Sequence, residues 1–251
     1  YLKKNFKIFF FIKKNLKNIK IKYKTITKVE QFQKIYKNDL QNIIIYDVKK
    51  IESYKNLINN NYLKKYKKIF VYDKIPNFFY NLLIIPYIIK KKFKRKNIFS
   101  GYKYVILNEN FFKSNKSIKK FTICCTMGGS DINQFTYKII NLLSKIKLKT
   151  KIDVNVIIGN YFNNIHKNKI IKICKKNKFK YYLNPKNYAS ILSKSSFLIT
   201  NSGNSKYEAA ALGKPFIIMS NDRNSIKHCK EFSKFIKSYY FKNYIVPNES
   251  F

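Results

Sequence analysis

Two short runs of small polar residues carry the chemistry this chain offers. Ser202-Gly203-Asn204-Ser205 follows the apolar run Phe197–Thr200 and precedes Lys206–Leu212, where Ala209, Ala210 and Ala211 favour helix. Small residues at a strand-to-helix turn present backbone N–H groups and hydroxyls at the positive end of a helix dipole, which is chemistry for phosphate. Glu208 lies about a turn later, close enough to accept hydrogen bonds from ribose hydroxyls. The same run also reads as a plain turn with a Ser or Asn cap. The second run, Met127-Gly128-Gly129-Ser130-Asp131, comes directly after the apolar Phe121–Thr126. Its paired glycines let a ligand approach the backbone closely. Ser130 and Asp131 are placed to cap the helix that follows, leaving its first N–H groups for a diphosphate. Neither G-x-G-x-x-G nor a Gly-Lys-Ser/Thr ending accompanies the run, so Walker and nicotinamide-type sites are excluded. A glycine turn that merely links strand to helix is the alternative.

Both runs need strands that end beside one another. Phe197–Met219 reads as strand, turn, helix and strand, with Gly213 ending the helix and Pro215 opening Phe216–Met219. Around it the pattern predicts a strand at Phe121–Thr126, a helix from Asn133 to Lys145, and a strand at Val154–Ile158. A helix over Ile165–Lys176, a strand at Phe179–Tyr182, and helices at Tyr188–Ser193 and Ser225–Lys237 complete that half. The first half predicts strands at Lys7–Ile12, Ile43–Tyr46, Ile69–Tyr72, Leu82–Ile85 and Tyr102–Leu107, with helices over Lys28–Lys37 and Ser53–Lys65. Asp47 and Asp73 end two of those strands. Short apolar strands alternating with helices indicate α/β architecture with parallel sheets. Lys90–Lys96 reads as a solvated connection and Asn108–Lys120 as a linker, dividing the chain into domains 1–115 and 116–251. No internal repeat is visible.

The formal charge of +41 points first to nucleic acid or an anionic membrane. All but Arg95 and Arg223 of the 53 basic residues are lysines, however, and they are spread along the chain. Specific nucleic-acid sites lean on arginine for bidentate contacts. Excess Lys, Asn, Ile, Tyr and Phe with no Trp instead fits a coding bias toward A and T. A lysine-driven polyanion-binding module remains the reading from another class. Cys124, Cys125, Cys174 and Cys229 have no metal spacing and fit a reducing cytoplasm. The apolar runs Ile8–Ile12 and Leu82–Ile89 are too short to span a bilayer. His166 and His228 lie in basic, helical surroundings and read as surface residues.

CTMGGSDINQFTYKIINLL, followed by ILSKSSFLITNSGNSKYEAAALGKPFIIMSND, resembles the C-terminal half of GT-B nucleotide-sugar enzymes. Within that fold it is similar to the family of the pseudaminic acid pathway hydrolase, which removes UDP from UDP-diacetamido-trideoxy-altropyranose, and to related spore-coat polysaccharide proteins. IIIYDV, KKIFVYDK and FSGYKYVILNENF continue the likeness into the first half. The resemblance implies two Rossmann-like domains with parallel sheets facing across a cleft. It implies a UDP-sugar substrate, no cofactor, no metal and a cytoplasmic monomer. Gly128, Gly129 and Ser130 would lie near the diphosphate, Ser202, Gly203, Asn204 and Ser205 around the phosphates, Glu208 at the ribose and Asn221 toward the sugar. The family's catalytic histidine, on a Gly-His loop, would precede Tyr1, so the chain reads as a fragment. Asp47-Val48-Lys49 stands where the family has Asp-His-Tyr, and Asn221-Asp222 where it has Asn-Gln. Asp47 is the candidate base within the chain.

Overall fold

Apolar runs of four to six residues between polar helices bury themselves as inner strands of a parallel sheet covered on both faces. The computed structural model of the chain describes residues 10–12, 23–25, 43–47, 55–59, 61–64, 66–72, 74–87, 93–112, 120–147, 152–220, 223–236 and 239–241. The chain divides into two compact units, residues 1–86 with 93–104, and residues 87–92 with 105–251.

The first unit holds a parallel pair, β1 (Phe10–Ile12) and β2 (Tyr23–Thr25). Its main sheet runs in sequence order through β3 (Ile43–Asp47), β4 (Lys67–Val71), β5 (Leu82–Ile85) and β6 (Ile98–Ser100), all parallel. Phe70 is fully buried, stacked on Tyr46 at 4.8 Å between centroids and edge-on to Tyr80 at 6.3 Å. The single helix expected over Ser53–Lys65 is instead two one-turn helices, α1 (Lys55–Ile58) and α2 (Asn61–Lys64). Asn59 ends the first of them in a turn, as asparagine competes with the helix for backbone hydrogen bonds. The buried strand expected at Ile43–Tyr46 is an edge strand, with Ile43 and Ile45 exposed and Tyr46 buried. The strand expected at Tyr102–Leu107 is corrected to β6. Gly101, at φ 110°, turns the chain into a 3-10 helix at Tyr102–Tyr104. The helix expected at Lys28–Lys37, and Asp73, lie outside the described residues.

The second unit alternates strand and helix throughout. In chain order it has β7 (Thr122–Thr126), α3 (Phe135–Lys147), β8 (Asp153–Ile158) and α4 (Asn164–Lys176). Next come β9 (Lys180–Leu183), α5 (Tyr188–Ser193), β10 (Phe197–Asn201) and α6 (Ser205–Ala211). β11 (Phe216–Met219), α7 (Arg223–Ser233) and β12 (Tyr239–Phe241) complete it. The sheet order is β9-β8-β7-β10-β11-β12, and every pair is parallel.

Strand alternation sends neighbouring side chains to opposite faces. Cys124, Ile157, Leu198 and Ile218 pack with residues of α5, α6 and α7, whereas Cys125, Val156, Ile199 and Met219 pack with residues of α3 and α4. The adjacent cysteines are therefore small inward residues of two separate cores, and all four cysteines are buried and free. Gly213, at φ 62°, follows α6 where a left-handed residue is needed. The stretch read as a linker begins inside this unit. Asn108 accepts from Asn110 N at 3.0 Å to cap a 3-10 helix at Glu109–Phe111, and Phe111 is buried in the core of the α5–α7 face.

Candidate functional site

The strand order is the doubly wound arrangement in which the first strand of the unit, β7, lies beside the fourth, β10. Successive connections leave that point in opposite directions, so the loops after β7 and β10 diverge and open a crevice at the carboxyl ends of both strands. Met127–Asp131 and Ser202–Ser205 are those two loops. Side chains tie them together. Asn201, the last residue of β10, donates from Nδ2 to the Met127 carbonyl and accepts from Gly203 N at 3.0 Å. Gly128 adopts φ 74°, and a Cβ there would stand 3.0 Å from Asn201 Nδ2 and 3.6 Å from Ser205 Oγ. Only glycine combines that dihedral with that proximity.

A third loop supports the first. Tyr161 N donates to the Gly129 carbonyl at 2.9 Å, and any Cβ on Gly159 would collide with the Gly128 and Gly129 carbonyl oxygens. With the Met127 and Gly129 carbonyls held from one side, planarity turns the N–H groups of Gly128 and Ser130 to the other. Among the described residues those two N–H groups have no protein acceptor.

The helix N-termini differ from the expectation. Asp131 accepts from Phe135 N at 2.9 Å and from Thr136 N at 2.7 Å, so the first amides of α3 are taken and a carboxylate occupies that end. The amides left free here are those of the Gly128–Ser130 loop and not those of the helix terminus. Ser130 is exposed and does not act as the cap. In the second loop Gly203 and Asn204 are exposed, whereas Ser202 and Ser205 are buried. Asn204 makes no side-chain cap, and Ser205 opens α6 itself.

Lys206 turns inward. It is 1% exposed, and its Nζ donates to the Ser202 carbonyl and, at 3.1 Å, to the Gly203 carbonyl. The ammonium also sits 4.3 Å from the Tyr207 ring centroid and 5.9 Å from that of Phe232. Burial lowers its pKa from 10.5 to about 8, with Cys229 opposing the shift. Because the Gly203 carbonyl points to Lys206, the Asn204 N–H points away from it, whereas the Gly203 N–H is the one held by Asn201.

Glu208 is half-buried and engaged. The Tyr188 hydroxyl donates to Oε2 at 3.1 Å and lies 3.2 Å from Thr126 Oγ1. Burial raises the pKa of Glu208, and hydrogen bonds from Tyr188 and Ser205 oppose the rise.

The histidines are corrected from surface residues to packed ones. His166 is 4% exposed, stacks on Phe162 with centroids 5.7 Å apart, and places Nε2 3.2 Å from Asp131 Oδ2. Positions 166, 170 and 174 form one buried stripe of α4, and the lysines occupy its other faces. His228 is half-buried, with its ring 5.6 Å from Tyr87. A cavity of about 430 Å³ opens beside the glycine loop, with Ser130, Tyr161, Asn163 and Lys169 around the Asp131–His166 pair.

Gly128, Gly129, Ser130, Ser202, Gly203, Asn204, Ser205 and Glu208 are thus gathered at the ends of β7 and β10. Asn221 lies outside the described residues, and Asp47 is an exposed residue ending β3 in the first unit. Sequence reasoning passed over Asn201, Gly159, Lys206, Tyr188 and the Asp131–His166 pair. Of these, only His166 had a periodic signal, its four-residue spacing to Ile170 and Cys174. Among the described residues no group of three His, Cys, Asp or Glu side chains is placed to hold a metal ion, and no helix is long and apolar enough to cross a membrane.

No family model matches the chain. An uncharacterized protein of Methanocaldococcus jannaschii, MJ1062, is 32% identical over 149 residues, covering 52% of this chain and 29% of that protein. MnaA of S. aureus, solved with UDP, aligns at a TM-score of 0.51 and 13% identity over 79% of this chain and 66% of its own. TarM aligns at 0.49 and 15% identity over 76% of this chain and 43% of its own. The chain therefore spans well under half of MJ1062 and of TarM. The fold is α/β of the GT-B type, with two main parallel sheets, one in each unit.

Proposed function

We propose that the chain is the nucleotide-binding body of an enzyme acting on a UDP-linked sugar, with UDP held by the second domain, residues 116–251. One observation carries the reading. At the switch point of a doubly wound sheet, the Gly128–Ser130 loop and the Ser202–Ser205 turn are joined by Asn201, with amides turned outward and Glu208 alongside. A fold shared with a protein solved with UDP supports it. The finer reading is a hydrolase that releases UDP from a UDP-linked diacetamido-trideoxy sugar for surface glycan synthesis. It is supported by the motif resemblance over residues 125–143 and 191–222. In that reaction a water, deprotonated by a general base, bonds to the anomeric carbon as the carbon–oxygen bond to UDP breaks. The outward amides would stabilise the departing diphosphate. A glycosyltransferase, with an acceptor hydroxyl in place of water, is equally compatible with the fold.

Calorimetry of the full chain with UDP tests the binding. The expected result is measurable heat with a dissociation constant at or below roughly millimolar, about −4 kcal/mol. No heat and no thermal shift at millimolar UDP overturns the reading. Nucleic-acid binding that falls steeply with salt, in the absence of UDP binding, would replace it with the polyanion module. Release of UDP from UDP-diacetamido sugar without acceptor separates hydrolysis from transfer, and Asp47→Asn asks whether the base lies in this chain.

A further inference from the structure

Tyr188 opens α5, and its ring packs edge-on to Phe111 at 5.9 Å between centroids. Its hydroxyl lies 3.1 Å from Glu208 Oε2 and 3.2 Å from Thr126 Oγ1. A phenol has one proton to give. With that proton donated to the carboxylate, the threonine hydroxyl must donate to the phenol oxygen. The bonds therefore run Thr126 to Tyr188 to Glu208, from the last residue of β7 through α5 to α6. Burial and then the neighbouring carboxylate push the Tyr188 pKa upward, so the phenol remains a donor at every working pH. A carboxylate accepts about four hydrogen bonds. Tyr188 supplies one donor to Glu208, which leaves further acceptor positions on the half-buried carboxylate.

We propose that Tyr188 is the positioning residue that makes Glu208 selective for the vicinal hydroxyls of a ribose. A glutamate on a short helix otherwise samples several rotamers, and most of them aim the carboxylate away from any one hydroxyl. The directed bond from Tyr188 removes that freedom before ligand arrives, and the preference for a diol follows from the prepaid orientation. The inference rests on the reading of this crevice as a nucleotide site, and it concerns the sugar end of the nucleotide only. Tyr188 makes no hydrogen bond to the glycine loop or to Ser202, Gly203 or Asn204, the groups nearest the diphosphate end.

The test compares native chain and Tyr188→Phe, which keeps the ring on Phe111, by calorimetry with UDP, 2′,3′-dideoxy-UDP and inorganic pyrophosphate. The native chain is expected to prefer UDP over the dideoxy analogue by about tenfold or more, the worth of a charge-assisted bond. Tyr188→Phe is expected to cut that preference to about threefold or less while pyrophosphate affinity stays put and unfolding remains a single cooperative transition, at a melting temperature lowered by the lost Thr126 and Glu208 bonds. An unchanged preference in the variant, or a loss shared equally by all three ligands, overturns the role of Tyr188 and leaves the nucleotide reading standing. A native chain that binds UDP without preferring it over the dideoxy analogue also overturns the inference. A native chain that binds no UDP overturns both.

Discussion

Replacing Lys206 with methionine tests whether an ammonium group sits beneath the turn on which the crevice depends. Lys206 is 1% exposed, and burial lowers its pKa from 10.5 to about 8. A lysine depressed in this way holds its proton less tightly folded than unfolded. Between about pH 8 and 10.5 the unfolded chain therefore binds more protons, and stability rises with pH across that window. The span is about 2.5 units, and each unit is worth about 1.4 kcal/mol, so the charged form costs the fold about 3 kcal/mol at neutral pH. Methionine removes this cost together with the bonds to the Ser202 and Gly203 carbonyls. Losing the bonds costs about 1–3 kcal/mol for each buried acceptor. A neutral amine keeps N–H donors, so to first order that loss does not depend on pH, and the pH-dependent part isolates the charge. Thermal unfolding of the native and Lys206→Met chains from pH 7 to 10.5 provides the measurement, because the other lysines titrate in both and cancel. The native chain is expected to gain about 3 kcal/mol on the variant over that range, roughly 6–12 °C in Tm for a chain of this size. A stability difference that stays constant with pH would refute the burial of a titrating ammonium at this turn.

Asn201→Ala removes both the bond to the Met127 carbonyl and the acceptor of Gly203 N, and is expected to cost about 1–3 kcal/mol in urea unfolding with UDP affinity about tenfold lower. Gly159→Ala forces the β8 loop off the Gly128 and Gly129 carbonyls, an overpacking cost of about 1–3 kcal/mol read as a lower denaturation midpoint. Glu208→Gln is expected to weaken UDP binding by about 1–3 kcal/mol by calorimetry without altering the melting curve's shape. Burial raises the Glu208 pKa, so acidification protonates it sooner than an exposed carboxylate. Native UDP affinity is therefore expected to fall with pH, whereas the glutamine variant stays flat over the same range.

Local signals carried much of the second unit. β11 and α5 occupy the spans that apolar runs and polar flanks predict, and Gly213 stands at the required positive φ. Such features depend on neighbours in sequence, through helix propensity, alternation and the steric freedom of glycine, and are therefore legible along the chain. The loops Met127–Asp131 and Ser202–Ser205 were visible for the same reason. Shorter signals failed where tertiary pairing decides. β12 has three residues and exists because β11 offers it an edge, and β3 keeps two exposed isoleucines because nothing described pairs with its other side.

Burial direction and strand order were decided only in three dimensions. Nothing local marks Lys206 as a lysine that turns inward, because its partners are two carbonyls whose orientation depends on how β10 ends. His166 looked solvated beside its lysines, yet the stripe it shares with Ile170 and Cys174 faces the sheet, where Asp131 arrives from another loop. The placement of β10 beside β7 joins residues 74 positions apart, Met127 and Asn201, and turns two ordinary glycine and serine turns into one crevice. A sequence states which residues want a strand or a turn. Which strand lies next to which is set by the packing of helices on both faces of the sheet, and that packing is a property of the folded chain alone.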